Sequence, residues 1–123
     1  GMDVIIPIPL HWSRLYRRGY NQTEFIARGV SSVTGLPIDT SLRAVRRHPA
    51  QARKDAEQRK ANLAGTMEYL GDEGALSSRH VLLIDDIVTT GATMREAVRA
   101  LVEDSGVGRV SILSLGRAHS IND

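Results

Sequence analysis

Residues 81–93, VLLIDDIVTTGAT, limit the possible folds of this chain more than any other stretch. Residues 81–84 are all apolar, which predicts a short strand buried on both faces, as in the centre of a parallel sheet. Two adjacent carboxylates, Asp85 and Asp86, follow this strand, and a small hydroxyl-rich loop comes next. Residues 94–102 then have apolar side chains at helical spacing. This order of strand, acidic pair, loop and helix predicts a binding site for a sugar phosphate.

The loop after the acidic pair has the properties of a phosphate cradle. Backbone N–H groups at a helix N-terminus bind phosphate well, because they are unsatisfied donors and the helix dipole favours an anion. The glycine permits a positive φ, and small side chains let the backbone approach the ligand. Thr93 and Glu96 also have the spacing of a capping box, so an N-cap role for Thr93 is the alternative. The candidate cradle consists of Thr89, Thr90, Gly91, Ala92 and Thr93.

The acidic pair narrows the type of ligand. Asp85 and Asp86 would repel a neighbouring phosphate unless they contact hydroxyl groups or a cation. Ribose hydroxyls and Mg²⁺ are suitable partners for carboxylates. The pair therefore favours a phosphorylated sugar over inorganic phosphate. The structural alternative is that one carboxylate is exposed and the other caps the following turn.

The first part of the chain predicts a β-α-β unit. The apolar run at residues 4–10 is a strand that Pro7 and Pro9 must end, because proline cannot donate to a strand ladder. A helix is predicted from Asn21, and Gly35 with Pro37 ends it. A returning strand is expected within residues 38–46. The predicted core-facing stripe of the helix is Phe25, Ile26, Val30 and Val33.

The rest of the chain continues the alternation of strands and helices. A mobile polar segment is expected at residues 48–54, followed by a helix at about 55–63. An edge strand at 66–70, a polar turn at 71–78, a helix at 93–103 and a final strand at 109–115 complete the pattern. This alternation predicts a single α/β domain over residues 1–123, with a mainly parallel sheet that binds ligands at the carboxyl ends of its strands.

Composition excludes several classes of function. The absence of cysteine excludes disulfides and thiolate metal sites and fits a cytoplasmic protein, and no apolar run reaches the roughly 18 residues of a membrane span. No Walker-type or Rossmann glycine motif occurs.

Residues 11–60 hold eleven Arg or Lys against four Asp or Glu, which indicates either a solvated basic face or a surface for phosphate. The few aromatic residues favour a small ligand over stacked bases.

Residues 81–93 resemble the phosphoribosyl pyrophosphate (PRPP) motif of type I phosphoribosyltransferases. Two further segments, residues 6–10 (IPIPL) and 18–22 (RGYNQ), are similar to the competence-associated ComF/GntX branch of that family. Gln51, Arg59 and Asn62 are similar to the hood region of that branch. The resemblance extends over residues 4–117. It implies a type I phosphoribosyltransferase-like fold, with a mainly parallel five-stranded sheet flanked by helices and a flexible hood.

The resemblance also implies a reaction and its residues. PRPP would be the donor, Mg²⁺ the cofactor, and a nitrogen acceptor would displace pyrophosphate at the ribose C1. Asp85 and Asp86 would bind the ribose hydroxyls, directly or through Mg²⁺, while the 89–93 loop would hold the 5-phosphate. Arg53 and Lys54 would close over the leaving group as catalytic cations. The pyrophosphate would meet the loop after the first strand, and the ligand-binding candidates there are Pro9, Leu10, His11 and Arg18.

Departures from the family pattern leave the acceptor open. Purine-salvage members carry an acidic general base where this chain has Thr89, so hypoxanthine or guanine salvage is disfavoured. The ComF branch commonly has an N-terminal cysteine-rich zinc segment, and its absence here suggests a fragment or a shortened member. Three functions remain as alternatives. The first is a phosphoribosyltransferase, for which the resemblance implies a homodimer, since members of the family often pair. The second is a non-catalytic PRPP or nucleotide sensor that serves DNA uptake through partner proteins. The third is direct single-strand DNA binding by residues 11–60.

Overall fold

The computed structural model describes residues 1–9, 22–45, 65–88 and 91–117 of the chain. Three of the described strands form a parallel sheet: β1 (Val4–Pro7), β4 (His80–Val88) and β5 (Arg109–Arg117). β4 lies between β1 and β5, which confirms the central position predicted for residues 81–84. Ile38 forms an isolated parallel bridge to Ile5 on the other side of β1.

The centre of the sheet is apolar on both faces. Val81 and Leu83 of β4 pack in one core cluster, and Leu82 and Ile84 pack in the other. All four side chains are buried, as the sequence predicts for a central parallel strand. β4 continues past this apolar run to Val88, so the acidic pair belongs to the last part of the strand and does not follow it.

Helix α1 (Gln22–Thr34) covers one face of the sheet. Its end is as predicted, with Gly35 at a φ of 77° directly after the last turn. The predicted apolar stripe is wrong at two positions, because Phe25 is 60 % and Val33 88 % exposed. The residues that face the core are Thr23, Ile26, Ala27 and Val30. These four positions follow the helical period more closely than the predicted apolar stripe does. Two of them, Thr23 and Ala27, are polar or small, so hydrophobicity alone did not select them.

Strands β2 (Leu42–Ala44) and β3 (Met67–Tyr69) form a separate antiparallel pair, which we call the ribbon. The edge strand predicted within residues 66–70 is therefore confirmed. The single returning strand predicted within 38–46 is divided instead into the Ile38 bridge and β2. An Asp39 turn separates them, since the N–H of Ser41 donates to Oδ1 of Asp39 at 2.8 Å.

The fold class is α/β with a mainly parallel sheet, as predicted. In the described ranges the strands divide into the three-stranded parallel sheet and the two-stranded ribbon, so they do not lie in one five-stranded sheet. The segments predicted as mobile (48–54) and helical (55–63) lie outside the described residues. Leu76 is buried within the turn predicted at 71–78.

Helix α2 (Ala92–Ala100) continues into a π-helical turn, Leu101–Ser105, which Gly106 ends with a φ of 66°. The helix predicted at 93–103 thus begins one residue earlier, and together with the π-helical turn it ends two residues later. β5 likewise extends two residues beyond the predicted strand. None of the described helices combines the length and the hydropathy that crossing a membrane requires.

Candidate ligand-binding site

The carboxyl ends of β1 and β4 lie side by side at one edge of the sheet. Pro7 pairs with Ile84 in the parallel register, and the N–H of Ile8 donates to the carbonyl of Ile84 at 2.8 Å. Pro9 follows Ile8, and Asp85 follows Ile84. Two segments that the sequence assigned to ligand binding therefore leave neighbouring paired strands side by side. Such an edge is where open α/β sheets bind their ligands.

Asp85 is 6 % exposed and lies opposite Ser114 of β5. A carboxylate at this depth requires polar or cationic partners, because burial of an uncompensated charge is costly. Its position fits the predicted contact with ribose hydroxyls or a cation. Asp86 is the next residue of β4. Among the described residues there is no cluster of three or more acidic or histidine side chains suited to a metal ion.

The glycine of the predicted cradle adopts the positive φ that glycine permits. Gly91 has a φ of 82° and is the N-cap of α2, and its carbonyl accepts the N–H of Arg95 at 2.9 Å. Residues with a side chain rarely take this left-handed conformation. No side-chain hydrogen bond caps α2, so the capping box predicted between Thr93 and Glu96 is wrong. Thr93 is half-buried in the first turn.

Arg95 is a cationic residue of this edge that sequence reasoning did not select. A Cβ built on Gly91 would lie 3.1 Å from Nη1 of Arg95, so the guanidinium is close to the loop glycine. The signal in the sequence is the spacing, because residue 95 is one helical turn after residue 91. A guanidinium at this position suits a phosphate ligand.

Several predicted site residues are outside the described part of the chain. The structure describes the backbone and burial of Pro9, Asp85, Gly91, Ala92 and Thr93, and it places Asp86 within β4. The candidates outside the described residues are Leu10, His11, Arg18, Arg53, Lys54, Thr89 and Thr90. Their assignment stays a prediction.

Polar side chains of α2 connect this helix to the ribbon. Glu96, only 4 % exposed, accepts the N–H of Met67 at 2.9 Å and the Nε–H of Arg99 at 2.8 Å. Arg99 also donates from Nη2 to the carbonyl of Met67 at 2.8 Å. The hydrogen bond to Glu96 is the main reason why the pKa of Arg99 is raised. The helix that begins at the candidate phosphate loop thus holds both backbone groups of the first residue of β3.

A second polar contact ties the ribbon to the chain beside β1. Tyr69 donates from its hydroxyl to Oδ2 of Asp39 at 2.6 Å. Burial and this hydrogen bond raise the pKa of Tyr69 to about 12. Burial acts to raise the pKa of Asp39, but the hydrogen bonds from Tyr69 and Ser41 outweigh it and lower that pKa. The ribbon is therefore attached to the sheet on one side and to α2 on the other.

Comparison with known proteins matches the chain to one domain family. The sequence profile of the phosphoribosyl transferase domain matches residues 17–120. The chain is 31 % identical to competence protein F of Haemophilus influenzae over 117 residues, which cover 94 % of this chain and 51 % of that protein. It is 32 % identical over 118 residues to the DNA utilization protein YhgH of Escherichia coli K12, covering 94 % and 49 %. Competence protein ComFC of Bacillus subtilis is 30 % identical over 115 residues, with 94 % and 45 % covered.

The fold also matches a solved structure. Glutamine PRPP amidotransferase of B. subtilis, complexed with ADP and GMP, aligns with a TM-score of 0.63 and 21 % identity. The alignment covers 94 % of this chain and 22 % of that one. At this identity the likeness shows the fold alone. The chain spans about half the length of the three relatives named above.

Proposed function

The chain belongs to the phosphoribosyl transferase domain family, in the branch of competence protein F, and on that basis we propose that it binds PRPP at the carboxyl edge of β1 and β4. We further propose that it transfers the phosphoribosyl group to a nitrogen acceptor and releases pyrophosphate. The observation that carries this proposal is the arrangement at one edge of a buried carboxylate, Asp85, and a left-handed glycine, Gly91, at the start of a helix.

The sugar-phosphate half of the ligand would meet the end of β4 and the start of α2. Asp85 and Asp86 would accept hydrogen bonds from the 2- and 3-hydroxyls of the ribose. The backbone N–H groups and hydroxyls of the 89–93 loop would bind the 5-phosphate at the positive end of the helix dipole. Arg95 adds a cation beside Gly91. Together these groups would orient C1 of the ribose toward the exit of β1.

The pyrophosphate half would lie near Pro9, Leu10 and His11, with Arg18 as a further ligand. In the transfer step the acceptor nitrogen forms a bond to C1, while the bond from C1 to the pyrophosphate oxygen breaks and its electron pair leaves with pyrophosphate. Arg53 and Lys54 would stabilise the charge that develops there. Mg²⁺, which Asp85 and Asp86 could hold, would supply further charge stabilisation when bound.

Residue 89 does not supply a general base that could take the proton from the acceptor nitrogen. Thr89 stands where purine-salvage relatives have a carboxylate, and a hydroxyl of ordinary acidity is a poor general base. We therefore propose an acceptor that loses its proton to solvent or carries its own basic group. This disfavours hypoxanthine and guanine as acceptors.

Calorimetry and a pyrophosphate-release assay test the proposal together. PRPP should bind in the presence of Mg²⁺, and adding an acceptor from a panel of nitrogen nucleophiles should release pyrophosphate. The double variant Asp85→Asn, Asp86→Asn should lose binding and release. Glu73→Gln, in the exposed turn after the ribbon, is the matched control and should behave as the wild type. Unchanged PRPP binding by the double variant would refute the site assignment.

A second candidate function is favoured by the names of the relatives. Competence protein F and the DNA utilization protein YhgH indicate roles connected with DNA in those organisms. This chain could serve there as a non-catalytic PRPP or nucleotide sensor that acts through partner proteins. Tight PRPP binding without pyrophosphate release across the whole acceptor panel would support the sensor over the enzyme.

A further inference from the structure

Thr23 joins helix α1 to the exit of strand β1. It lies in the first turn of α1, is 2 % exposed, and donates from Oγ1 to the carbonyl of Ile8 at 2.5 Å. Ile8 is also 2 % exposed. Fifteen residues separate the two partners, so this contact is tertiary. A threonine in a first helical turn is common as a cap, but here the hydroxyl reaches the neighbouring strand.

Ile8 is held at both of its backbone polar groups. Its N–H donates to the carbonyl of Ile84 at 2.8 Å, and its carbonyl accepts the hydroxyl of Thr23. Pro7 and Pro9 have no N–H, so Ile8 carries the only backbone donor of residues 7–9. The bond from Thr23 thus adds a contact from helix α1 to the one that Ile8 makes with β4, at the point where the chain leaves β1.

We propose that Thr23 is a positioning residue for the pyrophosphate end of PRPP. It fixes the direction in which the chain leaves Ile8 toward Pro9, relative to Asp85 on the neighbouring strand. This inference rests on the proposed function, because it assigns the pyrophosphate to the loop after β1. Thr23 itself touches no reacting atom in the proposed reaction.

The proposal predicts an effect on one half of the ligand only. The bond from Thr23 acts on the segment at Pro9, whereas residues 89–93 extend from the end of β4 into the first turn of α2. Loss of the hydroxyl should therefore weaken pyrophosphate binding and leave ribose 5-phosphate binding unchanged. A threonine that merely stabilises the fold would affect both ligands alike or neither.

The test is the affinity of the wild type and four variants for three probes: pyrophosphate, ribose 5-phosphate and PRPP, each with Mg²⁺, measured by calorimetry. Thr23→Val keeps the shape and removes the hydroxyl, and Thr23→Ser keeps the hydroxyl. Because a neutral hydrogen bond contributes about 1 kcal/mol, Thr23→Val should weaken pyrophosphate and PRPP binding by roughly 5-fold. Ribose 5-phosphate should bind within about twofold of the wild type, and Thr23→Ser should restore the affinity for pyrophosphate.

Thr34→Val is the matched control, since Thr34 donates to the carbonyl of Val30 at the far, exposed end of the same helix. It should bind all three probes as the wild type does. Thr23→Ala serves as a second hydroxyl-free variant, with folding of each variant checked by circular dichroism. The inference is overturned if the folded hydroxyl-free variants bind pyrophosphate normally, or if they lose both half-ligands equally. A wild type that binds none of the probes would instead refute the proposed function itself.

Discussion

Removal of the buried carboxylate of Glu96 should destabilise the protein far more than removal of an exposed carboxylate from the same helix. Glu96 accepts hydrogen bonds from the N–H of Met67 and from Arg99, at 2.8–2.9 Å. Glu103 contacts Arg99 at 2.7 Å, but its side chain is 62 % exposed, against 3 % for Glu96. The two glutamates thus bind one guanidinium and differ chiefly in burial and in the contact with β3.

The magnitude follows from the groups left behind. In Glu96→Ala the N–H of Met67 loses its acceptor in a buried position, which costs about 1–3 kcal/mol. Loss of the pair with Arg99 adds up to about 1 kcal/mol, since the side chain of Arg99 is 30 % exposed and is partly screened by solvent. We expect a total of about 3 kcal/mol. Arg99→Met should cost a similar amount, because it leaves the Glu96 carboxylate buried without its cation.

Urea unfolding followed by far-UV circular dichroism measures these changes. With a slope of about 1.5 kcal/mol per molar urea, Glu96→Ala should lower the midpoint by roughly 2 M. Glu103→Gln should change the free energy of unfolding by less than about 0.5 kcal/mol. The double variant Glu96→Ala, Arg99→Met should be more stable than the sum of the single changes predicts, by about 1.5 kcal/mol. A loss for Glu96→Ala no larger than that for Glu103→Gln would refute the assigned role.

Four further predictions concern the ribbon and α1. Tyr69→Phe should cost about 1–2 kcal/mol, because the carboxylate of Asp39 loses its donor. In denaturant titrations the free energy of unfolding of the wild type should fall as the pH rises from 10 toward 12. The reason is that the raised pKa of Tyr69 favours the folded state only while the phenol is protonated. Tyr69→Phe should abolish this loss. Gly71→Ala should cost about as much as Tyr69→Phe in the same unfolding assay, because a Cβ at residue 71 would overlap the ring of Tyr69. Gly29→Ala should raise the free energy of unfolding by about 0.5–1 kcal/mol, since residue 29 is helical and open space surrounds its Cβ position.

The sequence was sufficient for the centre of the sheet and for the loop glycine. Four consecutive apolar residues, 81–84, can be buried on both faces only in an inner strand, and β4 is that strand. The glycine before the helical period permits a positive φ, and Gly91 has this conformation. Both features depend on the residues themselves, so packing against other segments of the protein does not easily change them.

The ribbon could not be predicted in the same way. Residues 38–46 contain enough apolar side chains for one strand, but the turn at Asp39 interrupts it, and Leu42 pairs with Tyr69 of β3. The same carboxylate accepts the hydroxyl of Tyr69, thirty residues later in the chain. A contact at that separation leaves no periodic signal in the sequence, because each partner is an ordinary turn or strand residue by itself.

Thr23 and Glu96 show why the buried polar groups were the hardest to predict. Both lie near the start of a helix, where threonine and glutamate most often cap the helix itself. In this fold each bonds to a backbone group of another element, the carbonyl of Ile8 and the N–H of Met67. The difference arises from what lies opposite each side chain: the carbonyl of Ile8 at the exit of β1 faces Thr23, and the N–H of Met67 on β3 faces Glu96. A polar residue near the start of a helix can therefore bond to another element instead of capping its own helix, and which of the two it does can be judged only after the topology is known.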